Sequence, residues 1–174
     1  MTGPLAVVLI KGDDPTLVSD AVRQAVDAAL DGEDRGLAME ELGGDELSVG
    51  AVVDAAMTAP FLTARRVLVV RDVGRWTTEE LEPLIAYLAE PLSTTSLVLV
   101  AGGGATSQRL ANAVKKRGQV VEAGAPTGRA RTSWVTDRLK ASPVRFDAAA
   151  GNRLTEHLGE DLGRLGSIVD LLAS

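Results

Sequence analysis

Short apolar runs alternate through the first 125 residues with segments in which apolar residues recur every three or four positions. The runs have the length and β-branched composition of buried parallel strands; they lie at residues 5–10, 36–42, 67–70, 95–101 and 120–121. The run at 36–42 is the weakest of the five. The segments between the runs predict amphipathic helices. Such alternation indicates an α/β fold, a mostly parallel five-stranded sheet with helices on both faces.

Turn and capping residues place the first two helices. Asp13 or Asp14 is a suitable N-cap for a helix that has Pro15 in its first turn. A second helix is expected to open at residues 45–46 and to carry Met57 on its inner face. It must end near residue 59, because Pro60 disfavours a helical residue before it.

Two further helices have start signals of the same kind. Residues 77–80, with the sequence TTEE, predict a cap with acids in the first turn, and Pro83 predicts an irregular or late start. Thr106 or Ser107 is expected to cap the next helix, which finishes on the basic residues 115–117. Basic residues at that end suit the helix dipole without any ligand.

The pattern changes after residue 125. Three apolar stripes follow with no strand between them, the second capped by Asp147. We therefore expect an α/β domain at residues 1–125 and a small all-helical domain at 126–174. Because the last stripe runs to the final residues, we expect the helical domain to be incomplete, as in a piece of a longer protein.

Composition excludes several classes of site. The chain has no Cys, so disulfides, thiolate metal sites and a Cys nucleophile are excluded. The first residues lack a basic region and the first apolar run is too short for a signal sequence or a membrane span. A cytoplasmic protein with no membrane partner is the expectation.

The net charge of −6 argues against nucleic acid as the main direct ligand. Residues 109–145 nevertheless hold nine Lys or Arg against two acids, Glu122 and Asp137. This basic segment is either a solvated face or a surface that docks on an acidic protein surface or on DNA phosphates.

Neither nucleotide-binding signature is complete. The first strand–helix turn lacks the second Gly and the Lys of a phosphate loop, and Asp13 and Asp14 would repel phosphates there. The run Gly102, Gly103 and Gly104 is a near miss to the dinucleotide fingerprint, with Ser107 in place of its third Gly. It leaves a nucleotide- or dinucleotide-dependent α/β enzyme as the alternative function.

The remaining polar residues predict neither a catalytic nor a metal site. His157 is the only histidine, so a zinc site or a Ser-His-Asp arrangement cannot be assembled convincingly. The adjacent acid pairs, at 13–14, 40–41, 79–80 and 160–161, are better explained as caps and solvated faces than as Mg²⁺ ligands.

The segment around Phe61 is the unusual one. Phe61, one of two Phe in the chain, lies with Leu62 between a helical pattern and a strand, where polar turn residues are usual. Either both side chains fold back on the core as a satellite cluster, or they form an exposed apolar anchor for the pocket of a partner.

Several stretches together resemble the delta subunit of the bacterial DNA polymerase III clamp loader. They are residues 9–18 (LIKGDDPTLV), 60–62 (PFL) followed by 65–70 (RRVLVV), 118–122 (GQVVE), 134–135 (WV) and 159–162 (GEDL), in the same order and spacing. The resemblance implies a degenerate AAA+ module with strand order 5-1-4-3-2, a helical lid domain, and a third helical collar domain, which we expect to be missing from this sequence.

The resemblance also implies a function in DNA replication. Subunits of this family bind the sliding clamp, the beta subunit, and open its ring for loading onto primed DNA as part of the holoenzyme. They are not catalytic and need no cofactor, because other loader subunits hydrolyse ATP. Delta prime and gamma/tau are then further partners, and DNA is contacted only through the complex.

The clamp-binding element of the family is a helix end with two adjacent apolar residues. By position these are Phe61 and Leu62, flanked by Met57, Pro60 and Thr63. The order here is aromatic then aliphatic, where some members have Leu then Phe. Which of the two side chains inserts deeper is left open.

Overall fold

The computed structural model describes residues 6–103, 105–124, 128–142, 144–159 and 162–173. The chain divides into two compact units. The first comprises Met1–Asp13 with Val18–Ala123, and the second comprises Asp14–Leu17 with Gly124–Ser174. The predicted boundary at 125–126 lies outside the described residues.

Strands and helices alternate up to residue 122. In chain order they are β1 (Val7–Lys11), α1 (Pro15–Leu30), α2 (Arg35–Ala38), β2 (Met39–Leu42), α3 (Val49–Met57), β3 (Arg66–Val70), a 3-10 turn (Val73–Arg75), α4 (Glu82–Tyr87), β4 (Thr95–Val100), α5 (Gln108–Arg117) and β5 (Gly118–Glu122). Within the described part of the chain, no helix is long and apolar enough to span a bilayer.

The five strands form one parallel sheet in the order β2-β3-β4-β1-β5. This is the predicted order, 5-1-4-3-2, taken from the opposite edge, so the predicted fold class is confirmed. Leu68 lies beside Leu97, and Val8 beside Val98. One face of the sheet forms the main core with buried residues of α3, α4 and α5, among them Val52, Leu84 and Leu110.

The prediction for the weakest strand, residues 36–42, is wrong for its first half. Residues 35–38 form the short helix α2, and only Met39–Leu42 pairs in the sheet. The cause is local, because the Asp34 carboxylate accepts hydrogen bonds from the backbone N–H groups of Gly36 at 2.8 Å and Leu37 at 3.2 Å. These bonds cap a helical turn that the apolar pattern does not reveal.

Helix α3 also differs from its prediction at both ends. Its N-cap is Ser48, whose hydroxyl accepts from the Ala51 N–H at 3.2 Å, so the helix opens later than residues 45–46. Its buried residues are Val49, Val52 and Ala56, whereas Met57 is 61% exposed. Met57 was therefore wrongly placed on the inner face.

The predicted start of α4 has side-chain capping bonds, whereas the predicted start of α5 has none. The Thr77 N–H donates to the Glu80 carboxylate at 2.8 Å and the Glu80 N–H donates to the Thr77 hydroxyl at 3.3 Å, which is a capping box. Helix α4 then begins at Glu82, as late as Pro83 indicated. Ser107 occupies the N-cap position of α5 without a side-chain capping bond.

The capping box predicts a measurable acidity for Glu80. Hydrogen bonds from the Thr77 backbone and hydroxyl, and then the charge of Arg75, hold the pKa of the Glu80 carboxyl below its ordinary value. We expect an NMR titration to find the pKa of Glu80 below the ordinary value for a glutamate, and Thr77→Ala to raise it. A depressed carboxyl pKa stabilises the fold at pH values above the unfolded pKa, and that stabilisation is lost as the pH falls through the folded value. An unchanged Glu80 pKa in the Thr77→Ala variant would contradict the capping box.

The second unit contains the remaining helices, α6 (Gly128–Lys140), α7 (Ala148–Leu158) and α8 (Arg164–Ala173). Buried side chains of these helices form a separate core together with Leu162, which lies between α7 and α8; the helical members are Val135, Leu139, Leu158, Leu165 and Val169. The Asp147 carboxylate caps α7, as predicted, by accepting from the Ala150 N–H at 2.6 Å. In the part described, this unit is all helical.

Candidate functional site

The segment between α3 and β3, residues 58–65, carries the apolar pair and is called the docking loop here. Phe61 is 96% exposed and Leu62 73% exposed, with Met57 beside them at the end of α3. Pro60 and Thr63 are half-buried. Of the two arrangements that the sequence allowed, the structure has the exposed one, because neither side chain folds back on the core.

The docking loop begins where α3 is stopped and capped. The Thr58 N–H donates to the Ala55 carbonyl at 3.2 Å, and the Thr58 hydroxyl donates to the Asp54 carbonyl at 2.8 Å. Pro60 then prevents the helix from continuing, because it has no N–H to donate. The end of α3 at Met57 is thus fixed by its cap Thr58, two residues before Pro60.

Two side chains from elsewhere in the fold bind the same helix end. Arg66 donates from one guanidinium nitrogen to the carbonyls of Ala55 at 3.2 Å and Thr58 at 3.3 Å. The Tyr87 hydroxyl donates to the Ala56 carbonyl at 3.2 Å and accepts from the Leu92 N–H at 3.2 Å. Burial raises the pKa of this phenol, so it stays a donor at neutral pH.

The far end of the docking loop is held as well. The Glu33 carboxylate accepts from the Ala64 N–H at 3.1 Å, and the Thr63 hydroxyl donates to the Arg65 carbonyl at 2.6 Å. Arg65 lies 4.0 Å from the Asp31 carboxylate. The apolar pair therefore lies between two polar attachments.

Sequence reasoning did not identify Glu33, Arg66 or Tyr87 as supports of this site. Their contacts span sequence separations of 31 residues for Glu33 and Tyr87 and of 8 and 11 for Arg66. The signal present in the sequence was Arg66 itself, a charge immediately before a buried strand. Its carbonyl partners cannot be deduced from a hydrophobic pattern.

The turn after β1, where a phosphate loop would lie, is occupied by side chains of the chain itself. The Asp14 carboxylate accepts from the N–H groups of Thr16 at 2.9 Å and Leu17 at 3.0 Å, so Asp14 rather than Asp13 caps α1. Lys11 is paired with Glu122 at 3.0 Å. An anion at this helix terminus would compete with Asp14 for the same donors.

The glycine run after β4 has a structural explanation at its first residue. Gly102 has a φ of +70°, and a Cβ there would come 2.5 Å from the Asp72 carboxylate. The Ser107 hydroxyl lies 3.1 Å from that of Thr78. Gly104 is outside the described residues. These contacts do not favour the dinucleotide hypothesis.

Other polar residues of interest are dispersed. His157 is exposed near the end of α7. Among the described residues, no three His, Asp or Glu side chains are grouped as metal ligands would be; Glu160 and Asp161 are not among them. In the basic segment, Arg109 pairs with Glu82 and Arg117 donates to the Ala89 carbonyl, whereas Lys115 and Lys116 are exposed.

Comparisons with known proteins identify relatives of this fold. A model of the family described as DNA polymerase III, delta subunit, matches residues 9–124. The structure is similar to that of a Bacillus subtilis DNA clamp loader delta protein, with a TM-score of 0.73 and 19% sequence identity. It is also similar to a DNA polymerase III gamma subunit-related protein from Thermotoga maritima, with a TM-score of 0.55 and 16% identity. A comparison with curated sequences found no match.

The two solved relatives are longer than this chain. The match covers 96% of this chain and 53% of the Bacillus subtilis protein, and 97% of this chain and 54% of the Thermotoga maritima protein. The chain thus spans about half the length of each. At these identities the structural likeness supports the fold alone, and the family model supports the family.

Proposed function

This chain belongs to the DNA polymerase III delta subunit family, and from that premise we propose that it binds the sliding clamp and opens its ring for loading onto primed DNA. In this proposal the clamp, or beta subunit, is held by Phe61 and Leu62. Met57, Pro60 and Thr63 form the surroundings of the pair. Delta prime and gamma/tau are the expected partners within the loader.

The observation that carries the proposal is the exposure of two adjacent large apolar side chains on a held loop. Phe61 and Leu62 are 96% and 73% exposed, although a folded chain gains free energy by burying such groups. Polar contacts at both ends hold the loop in this conformation. An exposed apolar pair on an ordered loop is the arrangement expected of an anchor that enters a pocket on a partner.

The pair alone would bind weakly. Full burial of both side chains would contribute roughly 3–5 kcal/mol before ordering costs. Met57 is also exposed, at the end of α3 and four residues before Phe61, and offers further apolar area. We therefore propose that the contact extends beyond the pair onto the end of α3.

We further propose that the module works without ATP hydrolysis of its own. The capping of α1 by Asp14 supports this, because it uses backbone N–H groups that a phosphate site would need free. The two domains would then be an AAA+-like module at 1–125 and a helical lid at 126–174, with mechanical rather than catalytic roles.

The test is a titration of the whole chain against the sliding clamp of the same organism. We expect saturable binding with a dissociation constant in the range of about 1 μM or tighter, since weaker contacts do not support a stable loader. A folded chain that shows no binding at concentrations well above this range would contradict the proposal.

A thermal-shift screen distinguishes the enzyme alternative. A ligand present at 100 times its dissociation constant stabilises the folded state by about 2.7 kcal/mol. We expect neither ATP nor NAD to raise the melting temperature. A clear shift with either would favour the nucleotide-dependent enzyme over the clamp-loader subunit.

A further inference from the structure

Arg66 connects the two ends of the docking loop. It is the first residue of β3, directly after the loop, and its main-chain N–H donates to the Thr94 carbonyl at 2.8 Å. Its side chain turns back to the carbonyls of Ala55 and Thr58, where the loop begins. The second guanidinium nitrogen pairs with the Glu40 carboxylate of β2. One side chain therefore ties the start of the loop to the sheet at its end.

We propose that Arg66 is a positioning residue for clamp binding. It holds the two ends of the docking loop together, so that Phe61 and Leu62 are presented ready to enter an apolar pocket. This inference rests on the proposed clamp-binding function. Arg66 need not touch the clamp, because its guanidinium is occupied within the fold and its side chain is only 21% exposed. Its effect on affinity is transmitted through the loop.

The physical basis is conformational entropy. A loop whose ends are free samples many conformations, and a partner that binds one of them must order the rest, which weakens the association. The planar guanidinium suits this position because its several N–H groups point in fixed directions and reach three acceptors at once. A lysine ammonium in the same place lacks that fixed fork.

The chain provides a matched control at the other end of the same strand. Arg71 follows β3 and pairs with Glu41 of β2 at 2.7 Å, as Arg66 pairs with Glu40. The two pairs link the same two strands and have similar exposure, with 21% for Arg66 and 34% for Arg71. Arg71 lies at the opposite end of β3 from the docking loop, and its guanidinium bond is to Glu41 rather than to the end of α3.

The test compares Arg66→Met with Arg71→Met in the whole chain, measuring affinity for the sliding clamp of the same organism. Methionine keeps an unbranched stem and removes the guanidinium. We expect Arg66→Met to weaken binding about tenfold through the restored freedom of the loop. Arg71→Met should leave the affinity unchanged within about twofold. Equal losses in the two variants, or no loss in Arg66→Met, would overturn the proposal.

A double-mutant cycle separates positioning from direct contact. If Arg66 acts by placing the apolar pair, its effect should shrink to about half or less, on a logarithmic scale, when Leu62→Ala has already removed part of the anchor. An effect of Arg66→Met that is undiminished in the Leu62→Ala background would mean that Arg66 acts independently of the pair, and would overturn the proposal.

Arg66→Lys carries the test if Arg66→Met fails to fold. It keeps the positive charge beside Glu40 but lacks the fork that reaches both carbonyls, so we expect the affinity for the clamp to fall about threefold. An affinity equal to that of the parent chain would count against the inference.

Failure of the positioning role and failure of the proposed function give different results. If Phe61→Ala with Leu62→Ala leaves clamp binding intact, the docking site itself is wrong; if that variant loses binding but the Arg66 variants do not, only the positioning role is wrong.

Discussion

Replacing Phe61 and Leu62 together by alanine is expected to weaken clamp binding by about 100- to 1,000-fold. The estimate follows from the roughly 3–5 kcal/mol that full burial of both side chains would contribute, reduced by the cost of ordering them, at about 1.4 kcal/mol for each tenfold change. Because Phe61 is 96% exposed in the free chain, truncation removes little packing from the fold. We therefore expect the free energy of unfolding to change by no more than about 0.5 kcal/mol.

The measurement is a titration of each variant against the clamp, together with a denaturation curve for the free chain. Leu171→Ala with Leu172→Ala is the matched control, since these leucines are also exposed, at 75% and 56%, but lie on α8 in the second unit. The control should bind as the parent chain does. Equal loss in both double variants, or full binding by the Phe61 and Leu62 variant, would refute the docking site.

The core of the fold was predictable because its signals are local and repeated. Buried parallel strands such as β3 are continuous apolar runs, and the helices between them show stripes that end at residues such as Pro60. The prediction for residues 36–42 was wrong in part, because it followed the apolar pattern alone. There a single capping carboxylate, Asp34, decided between strand and helix, and a side-chain hydrogen bond leaves no trace in an apolar pattern.

The docking loop shows where prediction from sequence stops. The residue pattern identified Phe61 and Leu62 as unusual in a turn but left burial on the core and exposure open, and only the family resemblance favoured exposure. That choice depends on the supports from Glu33, Arg66 and Tyr87, which come from β3 and from segments about 30 residues away. A long-range support of this kind becomes visible only when the sheet order brings those segments together.

The substitution with the largest expected effect on stability is Gly118→Ala, at the start of β5. Gly118 pairs with Val7 of β1, a central strand, and a Cβ on Gly118 would come 1.7 Å from the Val7 carbonyl oxygen and 2.8 Å from its carbon. These are backbone atoms that cannot rotate away. The φ of −168° lies outside the left-handed region that favours glycine, so the expected penalty is the steric clash with Val7.

We expect Gly118→Ala to lower the free energy of unfolding by about 2–3 kcal/mol, the upper part of the usual range for forcing extra volume into a packed site. For a chain of this length that corresponds to a fall in melting temperature of roughly 5–10 °C. Gly103→Ala is the control, because nothing lies within 4 Å of a Cβ built there, and it should be neutral. Since only the first residue of β5 must move, amide exchange should accelerate along β5 before it does in β3 and β4. A Gly118→Ala chain as stable as the Gly103→Ala control would contradict the prediction. It would mean that β5 can shift away from β1 at little cost, so that the close approach of these two strands does not stabilise the edge of the sheet.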